Sequence, residues 1–150
     1  MPDLNSAGQQ GQTEGAKNAP CGVTLTYSQS LGTLVIVDRD GKETLLATGC
    51  WAGIGQGKNN PDMQHVSNTG PLPRGWYTIG DPEDASTGPY SLRLTPVPGT
   101  DMFGRSHFLI HGAAKDPAQR GNESHGCIIA PRAVRVSIHE RGIKYLQVVR

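Results

Sequence analysis

Two short stretches of this sequence have the residue types and the spacing for nucleophilic catalysis: His111-Gly112 and Ser124-His125-Gly126-Cys127. A thiolate is a strong nucleophile, but a free thiol, with a pKa of about 8.5, is mostly protonated at neutral pH. An imidazole within reach can take that proton and later return it to a leaving amine. Cys127 is therefore the candidate nucleophile and His111 the candidate base. Gly126 lets a substrate carbonyl come close to the backbone, and the N–H groups of Gly126 and Cys127 are candidate donors to a developing oxyanion. These are the parts of an acyl-transfer centre, and that chemistry needs no cofactor.

Taken singly, each residue has a plainer explanation. A cysteine followed by Ile128 and Ile129 is commonly a packing residue, and the combination with His111 is what points to catalysis. Zinc is the sharper rival, since His107, His111, His125 and Cys127 are all metal-ligating types. On a strand, however, His107 and His111 share a face about 13 Å apart. Zinc bonds of about 2 Å do not span that gap. A three-ligand set without His107 stays open, and the metal-free reading is favoured.

The elements that would position these groups are mostly strands. Residues 23–27 and 34–37 are β-branched and apolar, Asp38-Arg39-Asp40-Gly41 reads as a turn, and 44–47 returns as a third strand of a meander. Residues 52–74 hold many Gly, Asn and Pro and read as a long loop of the kind that is functional or mobile. Strands follow at 75–79, 90–94 and 107–111, the last ending at the candidate base. After Pro131, alternation of Val134, Val136 and Ile138 is strand-like. Pro131 at the start and Gly142 at the end instead favour a helix over 131–141, with a last strand over 145–149.

The bulk properties agree. With 20 Gly, 11 Pro and 35% apolar residues in 150, the chain suits one turn-rich, mainly β domain rather than a helix bundle. A net charge of +1 without a basic block argues against a nucleic-acid partner. No apolar run approaches the roughly 20 residues of a membrane span, so no membrane insertion is expected. Residues 1–20 carry few apolar side chains and read as a flexible tail, leaving 21–150 as the catalytic domain. Three cysteines permit one internal pair, for which Cys21 and Cys50 are the candidates in an oxidising compartment.

The Ser124-His125-Gly126-Cys127 motif, preceded by His111-Gly112, resembles the signature of L,D-transpeptidase catalytic domains. A narrower likeness covers about residues 21–149. Gly55-Gln56-Gly57-Lys58-Asn59-Asn60-Pro61 and Asn68-Thr69-Gly70-Pro71-Leu72-Pro73-Arg74-Gly75-Trp76-Tyr77 are similar to the L,D-transpeptidase-like antibacterial effectors of type VI secretion. The resemblance implies a single β-sandwich or barrel domain with one short helix after the catalytic cysteine. It implies Cys127 as nucleophile, His111 as base, and His125 as a neighbour shaping the site together with Ser124, Gly126 and Gly112. Two departures bear on substrate binding. Twelve residues separate His111 from Ser124, fewer than the family usually shows, and Ile129 stands where an Arg is common.

By the same resemblance the substrate is a peptidoglycan stem tetrapeptide. The enzyme would act as an L,D-carboxypeptidase with water, or exchange the terminal residue when a free D-amino acid is the acceptor. The first residues lack the charged start and apolar centre of a secretory signal. The expectation is synthesis in the cytoplasm and delivery into a target cell's periplasm, with an immunity protein and a secretion-machine component as partners. Arg105 and Arg74 are candidates for a substrate carboxylate, and Trp51, Trp76 and Tyr90 for a groove wall. The alternatives are a non-catalytic peptidoglycan-binding module and a cell-wall cysteine endopeptidase that uses His139.

Overall fold

The computed structural model describes residues 22–119, 121 and 123–150. The expected tail and Cys21 lie outside the described residues, and with Cys21 goes the Cys21–Cys50 pairing. Nine strands form one sheet: β1 (Thr24–Ser28), β2 (Leu34–Val37), β3 (Glu43–Ala47), β4 (Trp51–Ala52), β5 (Gly75–Ala85), β6 (Gly88–Pro96), β7 (Phe108–His111), β8 (Ile128–Ile129) and β9 (Tyr145–Val149). Their order is β3-β2-β1-β9-β5-β6-β7-β8-β4. The two outermost strands, β3 and β4, are joined by only residues 48–50. So short a link reaches about 14 Å at most, so the strip must curl until its ends approach each other.

Side-chain alternation decides which face is inside. In β2 Leu34 and Ile36 point inward, in β9 Leu146 and Val148, and in β5 Tyr77 and Ile79. They join Leu25, Leu92, Leu94, Phe108, Ile110 and Ile128 in one apolar core. The first three strands make the expected meander, and the Asp38 carboxylate caps its second turn by accepting from Asp40 and Lys42 N–H at 2.9 Å each. The chain then leaves the meander. β9 inserts between β1, which it pairs in parallel, and β5, which it pairs antiparallel.

The one α-helix among the described residues, α1 (Arg132–Glu140), settles the ambiguity after Pro131. Pro131 precedes it with an extended backbone, and Gly142 ends it at φ +69°. There Ile143 N–H donates to Ile138 O and Gly142 N–H to His139 O. Two such reversed bonds, with Ile138 and Ile143 both buried, close the helix in the pattern that favours glycine. Strand periodicity in 134–138 loses to this pair of boundary signals. The buried Arg135 guanidinium then ties α1 to the sheet, donating to Ala130 O, Pro89 O and Tyr90 O.

Candidate active site

Strand β7 is buried along its whole length because both of its faces are used. Phe108 and Ile110 enter the core, whereas Leu109 and His111 face a cleft of about 550 Å³. β7 pairs in parallel with β8, Ile110 opposite Ile128, which puts Leu109 beside Cys127. Leu109 N–H points at Cys127 Sγ, 3.4 Å away. Cys127 and His111 both line the cleft. The β5–β6 hairpin lines the cleft next to β7 with Glu83 and Arg93, and His107, Glu123 and His125 also line it. His107 precedes the strand, at φ +67°, rather than beginning it.

The histidine is oriented by its neighbour. Nδ1 of His111 lies 3.0 Å from Gly112 O; an oxygen that can only accept makes Nδ1 the protonated nitrogen. Nε2 is then the basic nitrogen, and it is buried without a hydrogen-bond partner. Burial pushes the imidazole pKa below its ordinary value, and the bond to Gly112 O and the Glu123 carboxylate offset this in part. His111 therefore rests neutral. Gly112 has a second function, because a Cβ there would come 2.7 Å from an Arg135 guanidinium nitrogen.

Burial also raises the Cys127 thiol above its ordinary pKa, against the N–H groups of Leu109 and of Cys127 itself and the charges of Arg105 and Arg93. The resting pair is thus thiol and imidazole. Glu123 stays ionised despite its partial burial, held down by N–H donors from Ala114, Gly121 and its own backbone and by His111.

The cysteine loop is held from behind. Ser124, fully buried, accepts from Gly53 N–H at 2.9 Å and Gly126 N–H at 3.1 Å and donates to Cys127 O at 2.6 Å. Gly126 N–H is therefore spent on Ser124 and is no longer available to an oxyanion, which leaves Cys127 N–H of the expected pair. Gly126 sits at φ +133°, and a Cβ there would meet Phe108 at 2.5 Å and Arg105 at 2.6 Å. Only glycine fits.

Of the residues expected to bind substrate, none lines the cleft. Arg105, 7% exposed, donates to the carbonyls of Gln64, Pro71, Gly70 and His125 and lies over Phe108. Both of its terminal nitrogens stitch the 64–71 loop to the cysteine loop, away from the cleft. Arg74 turns to Gln29 Oε1. Trp51 lies under Lys58, and Tyr90 under Arg132 with its edge to His139. Trp76 Nε1 is buried without a partner, away from the cleft. His139 is likewise outside it, which removes the base that the endopeptidase alternative required. His125 is exposed on the rim with Nδ1 3.3 Å from Asn68 O. No group of three or more His, Cys, Asp or Glu among the described residues is placed to hold a metal ion. Arg93, Glu83 and Glu123 are among the cleft residues that sequence reasoning missed. Their one signal was Arg93 itself, a lone charge between Leu92 and Leu94.

The family model described as the Tlde1 domain matches residues 47–149. A search of the curated proteins finds no match. Among solved structures, an L,D-transpeptidase from Stackebrandtia nassauensis is 18% identical at a TM-score of 0.56, over 88% of this chain and 57% of that one. The helical cell shape determining protein Pgp2 of Campylobacter jejuni is 18% identical at 0.56, over 87% and 47%. The catalytic domain of the E. faecium L,D-transpeptidase is 18% identical at 0.50, over 87% and 99%. The chain spans under three fifths of the length of the first solved structures it matches. At these identities the likeness is one of fold, and that fold is the L,D-transpeptidase catalytic domain.

Proposed function

The chain belongs to the Tlde1 domain family, an L,D-transpeptidase-like family of type VI effectors, and from that premise we propose that it is a cysteine acyltransferase or hydrolase of peptidoglycan tetrapeptide stems. The observation that carries the proposal is that one cleft is lined by both the Cys127 thiol and a neutral His111 whose basic nitrogen has no hydrogen-bond partner.

Chemistry follows from those two groups. His111 Nε2 takes the thiol proton as Sγ attacks the carbonyl carbon of the third stem residue. A C–S bond forms, and the oxyanion meets Cys127 N–H. The C–N bond to the terminal D-alanine breaks as His111 returns the proton to the departing amine. Water then attacks the thioester to give the tripeptide acid, or a free D-amino acid attacks to give an exchanged tetrapeptide. In either case the thiol is restored. A raised thiol pKa suits this order, because proton removal accompanies attack instead of preceding it.

As an effector the chain would be carried into a rival's periplasm, where peptidoglycan lies, and its producer would hold an immunity protein that closes the cleft. The test is incubation of wild type and Cys127→Ala with tetrapeptide muropeptides, with and without free D-methionine, followed by mass spectrometry. Loss of D-alanine or its exchange by wild type alone is the expected result. Equal products from the variant, or none from either protein, would overturn it.

A further inference from the structure

We infer that Arg93 grips the free carboxylate of the substrate's terminal residue and so selects stems that end one residue beyond the attacked carbonyl. The inference rests on the reading of Cys127 as the acyl-transfer nucleophile.

Geometry places Arg93 for this. It lies on β6 directly opposite Leu109 of β7, and Leu109 stands beside Cys127. Residues directly opposite share a face of the sheet, so Arg93, Leu109 and Cys127 form a row across three neighbouring segments. Two strand spacings set the Arg93 and Cys127 backbones about 10 Å apart, a gap that a long arginine side chain can largely close. In the substrate, the terminal carboxylate is one residue from the attacked carbonyl, within about 4 Å. A substrate whose attacked carbonyl lies at Sγ carries its carboxylate within about 4 Å of that carbon, and turned toward β6 this carboxylate meets the Arg93 side chain.

Charge and donor count favour Arg93 over the other arginines. Glu83 takes its Nε and Nη2 at 3.1 and 3.0 Å, and Nη1 has no hydrogen bond among the described residues. Glu83 thus fixes the guanidinium plane while leaving one edge for a second carboxylate. Both side chains remain open to solvent, 44% and 38% exposed. Arg105 is the contrast, with both terminal nitrogens engaged by four carbonyls. Of the two arginines whose charge reaches Cys127, only Arg93 lines the cleft.

Two measurements test it. The first is steady-state kinetics of wild type, Arg93→Gln and Arg93→Lys on a muropeptide tetrapeptide and on the same tetrapeptide ending in a carboxamide. Arg93→Gln should lower kcat/KM on the free acid by about tenfold to a hundredfold, the range of a lost charge-assisted hydrogen bond. It should lower kcat/KM on the poorer carboxamide substrate by a much smaller factor, and lysine should restore part of the loss. Equal effects on both substrates would overturn the inference. The second compares alkylation of Cys127 by iodoacetate and iodoacetamide. Wild type should favour the anion relative to Arg93→Gln, and an unchanged ratio would overturn the inference. Because alkylation needs no turnover, it decides the role of Arg93 even if wild type processes neither muropeptide, an outcome that would instead sink the proposed function.

Discussion

On the inner side of the 124–127 loop, Ser124 and Arg105 spend their hydrogen-bonding capacity on backbone groups, and both are buried. On the cleft side of the same loop, His111 Nε2 has no partner, Arg93 keeps an unused edge, and the Cys127 thiol is held by weak bonds at 3.4 and 3.9 Å. An unpaired buried nitrogen is costly, and of the three such side-chain nitrogens among the described residues, those of Trp51, Trp76 and His111, only the last lies in the cleft. Its position, in the cleft that the Cys127 thiol also lines, marks where the fold has kept reactivity. The closed side is stability and the open side is chemistry.

That contrast predicts which substitutions lose activity and which lose stability. His111→Gln keeps a side chain of similar reach but removes the base, and should lower kcat/KM by about 10²- to 10⁴-fold with little change in melting temperature. A variant within a few-fold of wild type would break the contrast on the open side. Arg105→Met strands four carbonyls and should cost about 3 kcal/mol in chemical denaturation, more than any cleft substitution. If it unfolds at the wild-type denaturant concentration and loses only activity, Arg105 belongs to the cleft after all. Ser124→Ala leaves the N–H groups of Gly53 and Gly126 short of an acceptor and should cost about 1–3 kcal/mol.

Smaller effects sharpen the picture. His111 must be neutral to act, and burial lowers its pKa. Activity should therefore persist as pH falls through about 6.5, the ordinary imidazole value, and decline only below it. An acid limb above that value would contradict the geometry. Arg74→Ala, which removes a side chain bound to Gln29 outside the cleft, should leave KM within a few-fold of wild type.

Much of this was legible in the residues, for identifiable reasons. β2 and β9 match their expected bounds because apolar alternation and flanking turns agree there. The helix was legible from Pro131 and Gly142 at its ends, against an interior pattern that favoured a strand. Cys127 and His111 stand out by residue type, and the fold puts both at one cleft. Strands β4 and β8 were not legible, since two residues carry no period. The parallel pairing of β9 with β1 joins segments more than a hundred residues apart, which local pattern does not encode. Arg105 and Arg93 show the same limit in side chains. Sequence marked Arg105 as a ligand group and passed over Arg93, because it names charges without saying where their hydrogen bonds go.

The most direct test of the central claim is the intact mass of the protein, acid-quenched during turnover of a tetrapeptide muropeptide. A covalent adduct of the muropeptide tripeptide, mapped by peptide digestion to Cys127 and absent from Cys127→Ala, is the predicted result. Turnover without any adduct at Cys127, undiminished in the Cys127→Ala variant, would contradict the account.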